Sequence, residues 1–153
     1  MKNLSFVLIL LLFVSSLLGC TNTAYTLELL HSTDYVKEIK IVEMKKEFIL
    51  TSEDYSLLKE IAADDFTNII NDIQSIDYKV LAPSPGVPSG TVILIVYEND
   101  EYEIISKSGP KQYKYSEKEG RVMEYHSYYR CCDNELFDQM IEKWLYCDEA
   151  TNS

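Results

Sequence analysis

The chain has 153 residues, 14 basic and 25 acidic, for a formal net charge of −11 at neutral pH. Its length suits one domain with a modest core, and its 46% apolar content is that of a folding chain, not a disordered one. The charge excludes nucleic acid as a partner, which needs Lys/Arg stripes, and excludes a polybasic grip on anionic lipid.

Lys2 gives a basic start, and Phe6 to Leu18 is an apolar run of 13 residues broken only by Ser15 and Ser16. As a helix it would span about 20 Å, short of the roughly 30 Å hydrocarbon core of a bilayer. It therefore reads as the apolar region of an export signal and not as a spanning helix. The run ends in Leu17-Leu18-Gly19-Cys20, which resembles the lipobox of bacterial lipoproteins. That resemblance implies cleavage after Gly19 and diacylglycerol on the Cys20 sulfur. Acyl chains contribute about 0.8 kcal/mol per buried CH₂, so two of them anchor a chain stably. The expected layout is a signal peptide at 1–19, the lipidated Cys20 with a tether at 20–34, and an ectodomain at 35–149. The mature chain of 134 residues then carries −12, since Lys2 is lost.

Ile, Lys, Asn and Tyr total 45 residues against 16 for Gly, Ala, Arg and Pro, the bias of an AT-rich genome. The expected location is the outer face of the plasma membrane of a single-membrane bacterium. In a host with two membranes, the resemblance to bacterial lipoproteins implies that Thr21 after the Cys permits passage to the outer one.

In chain order, Tyr25, Leu27 and Leu29 alternate with polar or mixed residues, so part of the tether can pair as a strand. Val36 to Ile41 and a second run through Phe48 and Leu50 predict two strands around Met44-Lys45-Lys46-Glu47. Thr51 or Ser52 can cap a helix carrying Leu57, Leu58 and Ile61, continuing or restarting at Asp64 or Asp65 with Phe66, Ile69, Ile70 and Ile73. Ile76 to Val80 is extended and leads into LAPSPGVPSG, which holds three of the four prolines and reads as a loop. Thr91 to Tyr97 is β-branched and apolar on both faces, the mark of a central strand. Glu98-Asn99-Asp100 turns it into Glu101 to Lys107, and Lys111 to Tyr115 and Arg121 to Tyr129 give two more strands. A last helix, capped by Asp133 or Asn134, carries Leu136, Phe137, Met140, Ile141, Trp144 and Leu145 on one stripe. The prediction is a single small α+β domain, an antiparallel sheet of about five strands packed by two or three helices.

Chemistry-bearing patterns are few. Cys131, Cys132 and Cys147 remain beside Cys20, and an exported setting permits disulfides. A bridge from Cys131 or Cys132 to Cys147 conflicts with an intervening helix about 16 Å long, because bridged Cα atoms lie within about 7 Å. Zinc would need His126 as a fourth ligand, at a spacing that matches no familiar site. His126 and Ser127 lack a nucleophile elbow or a Gly-rich oxyanion loop, so no catalytic residue is assigned and the chain reads as a non-enzyme. The acidic turn Glu98-Asn99-Asp100-Glu101 lacks the scaffold of a calcium loop. No cofactor or metal ligand is expected.

Tyrosine is the unusual count, at twelve against five Phe and one Trp. Tyr113 with Tyr115, and Tyr125 with Tyr129, are expected to share strand faces and form a partner-binding aromatic face. The expected role is a membrane-anchored, non-catalytic surface interaction module. It is immunity- or inhibitor-like, meeting a basic protein, or else it binds a cell-wall polymer. The alternatives are a redox- or metal-linked lipoprotein using Cys131, Cys132 and Cys147, or a small ligand-binding lipoprotein.

Overall fold

The computed structural model describes residues 25–45, 52–80, 89–107, 111–116, 121–125, 129–131 and 133–146, with backbone only over 111–130. Among the described residues there are eight strands. They are β1 (Val36–Met44), β2 (Tyr55–Glu60), β3 (Tyr78–Val80), β4 (Thr91–Tyr97), β5 (Tyr102–Ile105), β6 (Lys111–Ser116), β7 (Arg121–Tyr125) and β8 (Tyr129–Cys131). The described helices are α1 (Phe66–Ser75) and α2 (Asn134–Tyr146), and single 3₁₀ turns precede α1 at Thr33–Tyr35, Ser52–Asp54 and Ala63–Asp65. Six strands form one antiparallel sheet in the order β2-β1-β4-β5-β6-β7, and β3 pairs with β8 in a separate ribbon. The expected α+β domain is thus present, with one strand more in its sheet.

β4 is central, as its two-sided apolar run predicts. Ile93 and Ile95 face the helices beside Ile39 and Ile41, and Val92 and Leu94 join Val42, Tyr102 and Ile104 in a smaller cluster on the reverse face. The helices lay Ile69, Ile70, Ile73, Phe137, Met140, Ile141 and Trp144 on the first face. Each such side chain contributes about 1.5–3 kcal/mol when fully buried. A shared acid joins the helices, since Asp72 Oδ2 accepts from Lys143 Nζ at 2.6 Å and from Trp144 Nε1 at 2.7 Å. Asp133 caps α2, its Oδ1 accepting from Glu135 N at 2.9 Å and Leu136 N at 3.2 Å. Leu136 lies off the expected stripe and is half exposed.

Three local expectations are corrected. β1 runs unbroken to Met44, and its return strand is β2, not the run through Phe48 and Leu50, which lies outside the described residues. The stretch with helical spacing at Leu57, Leu58 and Ile61 is β2 and its exit. It is an edge strand on which Leu57 and Leu58 stay exposed, and its register against β1 shifts between Ile41 and Val42. Finally, the stretch expected to be a tether is already part of the domain from Tyr25 onward. Tyr25 and Tyr78 exchange backbone hydrogen bonds at 2.8 and 3.1 Å, Leu27 is fully buried, and Gln74 Nε2 donates to the Leu27 carbonyl. The signal peptide and Cys20 lie outside the described residues, as does most of the proline-rich loop.

Candidate functional site

Among the described residues a dense polar constellation forms where the segment before β1 crosses the β4–β5 hairpin. Glu98, Asn99 and Asp100 make the turn, as the sequence predicts. Asp100 N donates to the Tyr97 carbonyl at 3.0 Å, and Tyr97 N donates to the Glu101 carbonyl at 2.9 Å. Asp100 takes φ +61°, a left-handed conformation that Asp tolerates better than most residues and that closes three-residue hairpins. Asn99 Oδ1 then accepts from Glu101 N at 3.2 Å and stiffens the turn.

Antiparallel register decides where the β5 acids point. Ile95 opposes Glu103 and Ile93 opposes Ile105, so Glu101, Glu103 and Ile105 share the helix-facing side. Both acids are buried, Glu103 completely. A buried carboxylate requires donors, and the N-terminal segment supplies two on successive residues. Leu30 N donates to Glu103 Oε1, and the ring Nε2 of His31 meets Glu101 Oε2. The His31 ring packs edge-on to Tyr97 at 4.8 Å between centroids, and lies 6.1 Å from Tyr35. Burial first, and the adjacent Glu103 carboxylate second, push the Tyr97 phenol well above its ordinary value, so it stays protonated.

The outer rim of this junction is open to solvent. Tyr35 is 61% exposed, and its carbonyl accepts from Glu98 N at 3.0 Å, which fixes the 3₁₀ turn against the hairpin. Asp34 in the turn and Glu98 and Asp100 in the hairpin are also exposed, and Lys37 lies 3.9 Å from Asp100. The arrangement holds no nucleophile paired with a base. It presents an exposed aromatic side chain on a backbone-bonded turn, together with exposed carboxylates of the same turn and hairpin.

The residues expected to carry function are distributed differently. Tyr113 and Tyr115 lie on β6, where Tyr113 pairs with Tyr102, and Tyr125 lies on β7 opposite Gln112. Tyr129 is not on the same strand as Tyr125. It belongs to β8 and pairs with Val80 in the small ribbon, because the Arg121–Tyr129 run divides between two sheets. The side chains of all four lie outside the described residues. Cys131 opposes Tyr78 and is buried, its thiol donating to the Asp133 carbonyl at 2.9 Å. Cys132, Cys147, His126, Ser127 and Cys20 lie outside the described residues. Among the described residues no cluster of His, Cys, Asp and Glu is arranged to hold a metal ion, and no helix is long and apolar enough to cross a membrane.

His31 and Tyr35 carry no motif in the sequence. The signal that could have found the site is hairpin parity, which puts Glu101 and Glu103 on the face of Ile93 and Ile95 and so demands donors from elsewhere. No protein-family model, curated protein or solved structure matches the chain.

Proposed function

We propose that the protein is a lipid-anchored, non-catalytic interaction module that binds a cationic protein partner through the hairpin end of its sheet. The observation that carries this reading is the 61% exposure of Tyr35, whose 3₁₀ turn is bonded through its backbone to the hairpin that carries exposed Glu98 and Asp100, with exposed Asp34 next to it in the chain. Rigid tyrosines make effective interface anchors, since few rotamers are lost on binding, and carboxylates around them steer a basic partner. The net charge of −11 acts in the same direction over longer range. Anchoring rests on Leu17-Leu18-Gly19-Cys20, and its resemblance to a lipobox supports display on the outer face of a bacterial membrane.

The test is photo-cross-linking in cells from a photoreactive phenylalanine at position 35, compared with one at Tyr146, which is equally open at 63% exposure. A discrete basic protein captured from position 35, absent from position 146 and lost with Glu98→Lys and Asp100→Lys, supports the reading. Identical adducts from both positions, or none from position 35, refute it. Mass spectrometry of the mature N-terminus tests the anchor separately, and an unmodified Cys20 removes it.

A further inference from the structure

The point at which the N-terminal segment joins the domain constrains how an anchored domain stands. Tyr25 is locked to Tyr78 by two reciprocal backbone hydrogen bonds, and four residues separate it from Cys20. That leash spans at most about 17 Å even when fully extended. From Tyr25 the chain passes Gln74, in the last turn of α1, at Leu27, and then reaches Glu103 at Leu30 and Glu101 at His31. Because Leu30 meets Glu103 and His31 meets Glu101, the segment runs toward the hairpin end as it leaves Tyr25.

We propose that the Tyr25 end of the domain is a lipid-facing surface, seated at the headgroup layer, with the Tyr35 end turned away from the bilayer. This rests on the lipid anchor at Cys20. Tyr25 is 45% exposed although its backbone is fixed, so its ring is presented to the surroundings close to the leash. A phenol with an apolar body and a polar tip suits the interface between headgroups and acyl chains. The occupant is the bilayer that carries the anchor. Glu28 and Asp77, both exposed near this end, disfavour anionic headgroups, so contact is made through the aromatic ring and not through charge. The partner then approaches from the aqueous side, since the leash holds the opposite end against the membrane.

The experiment uses the full lipidated chain in phosphatidylcholine vesicles whose acyl chains are brominated near the headgroup. Tyr25→Trp and Tyr35→Trp are compared with the parent, in which Trp144 is nearly buried and supplies the baseline. The expected result is a loss of fluorescence for Tyr25→Trp beyond the parent's, and none for Tyr35→Trp. Equal quenching of both variants overturns the orientation, as does a vesicle-bound chain in which neither exceeds the parent. Cys20→Ala separates the two levels. If it floats with vesicles as well as the parent, or if the parent does not float, the anchor itself fails and the orientation falls with it.

Discussion

The backbone N–H of Leu30 donates to the carboxylate of Glu103, 73 residues away in sequence, and this bond ties the segment before β1 to the buried face of β5. The adjoining contact of His31 with Glu101 repeats the arrangement one residue along the segment and two along the strand. Together they clasp the N-terminal segment onto the sheet.

Glu103→Ala should destabilise the domain by about 2–3 kcal/mol, because the Leu30 N–H loses its acceptor inside the protein. Glu103→Gln keeps an acceptor oxygen and should cost less. His31→Ala leaves the Glu101 carboxylate short of one donor, and because the ring is partly exposed the cost should be nearer 1 kcal/mol. Urea titration of the three variants checks the order, and a Glu103→Gln loss equal to that of Glu103→Ala would show that charge, not acceptance, holds the clasp.

Alkaline stability should fall in a way that two tyrosines control. Burial raises Tyr78 and Tyr97 above their ordinary value, with the Cys131 sulfur beside Tyr78 and Glu103 beside Tyr97 as further causes. Below about pH 10 both folded and unfolded chains hold these protons, and nothing changes. Above it the unfolded chain releases them while the folded chain retains them, so stability drops by about 1.4 kcal/mol per pH unit for each group. Tyr78→Phe with Tyr97→Phe should flatten this limb between pH 10 and 11, measured by denaturant midpoint; an unchanged slope would place the titration elsewhere.

Asp133→Ala should cost about 1 kcal/mol through loss of the α2 cap, and Asp133→Asn should restore most of it. Because both variants keep the main-chain carbonyl that accepts from Cys131, the comparison isolates the side chain. Thermal unfolding of the pair decides it, and equal losses for Ala and Asn would point to charge at the helix start instead.

Cys131 should resist a thiol reagent in the folded protein and react once urea unfolds it, since it is 4% exposed within the β3–β8 ribbon. Rapid modification of Cys131 under native conditions, located by peptide mass, would revive a redox role for this thiol.

The elements most legible in the sequence were those whose pattern is enforced by burial. β4 reads as central because Val92 to Ile95 are buried on both faces, and α2 reads as a helix because Phe137, Met140, Ile141 and Trp144 recur at its period. β2 was not legible, because Leu57, Leu58 and Ile61 happen to have the spacing of a helix although Leu57 and Leu58 are exposed on an edge strand. Such an edge strand is defined by its pairing with β1 and not by local propensity. The hairpin turn at Glu98 to Asp100 was readable from composition. The donors that Glu101 and Glu103 recruit were not, because Leu30 and His31 belong to a segment that reads as a tether.

The two apolar clusters have β1 and β4 in common. Ile39 and Ile41 enter one cluster and Val42 the other, while β4 alternates Val92 and Leu94 with Ile93 and Ile95 across the same divide. Neither cluster can melt without exposing the back of a strand on which the other depends. The slowest-exchanging amides should therefore fall in these two strands, opening only when the whole domain opens, with the clasp and the small ribbon yielding earlier.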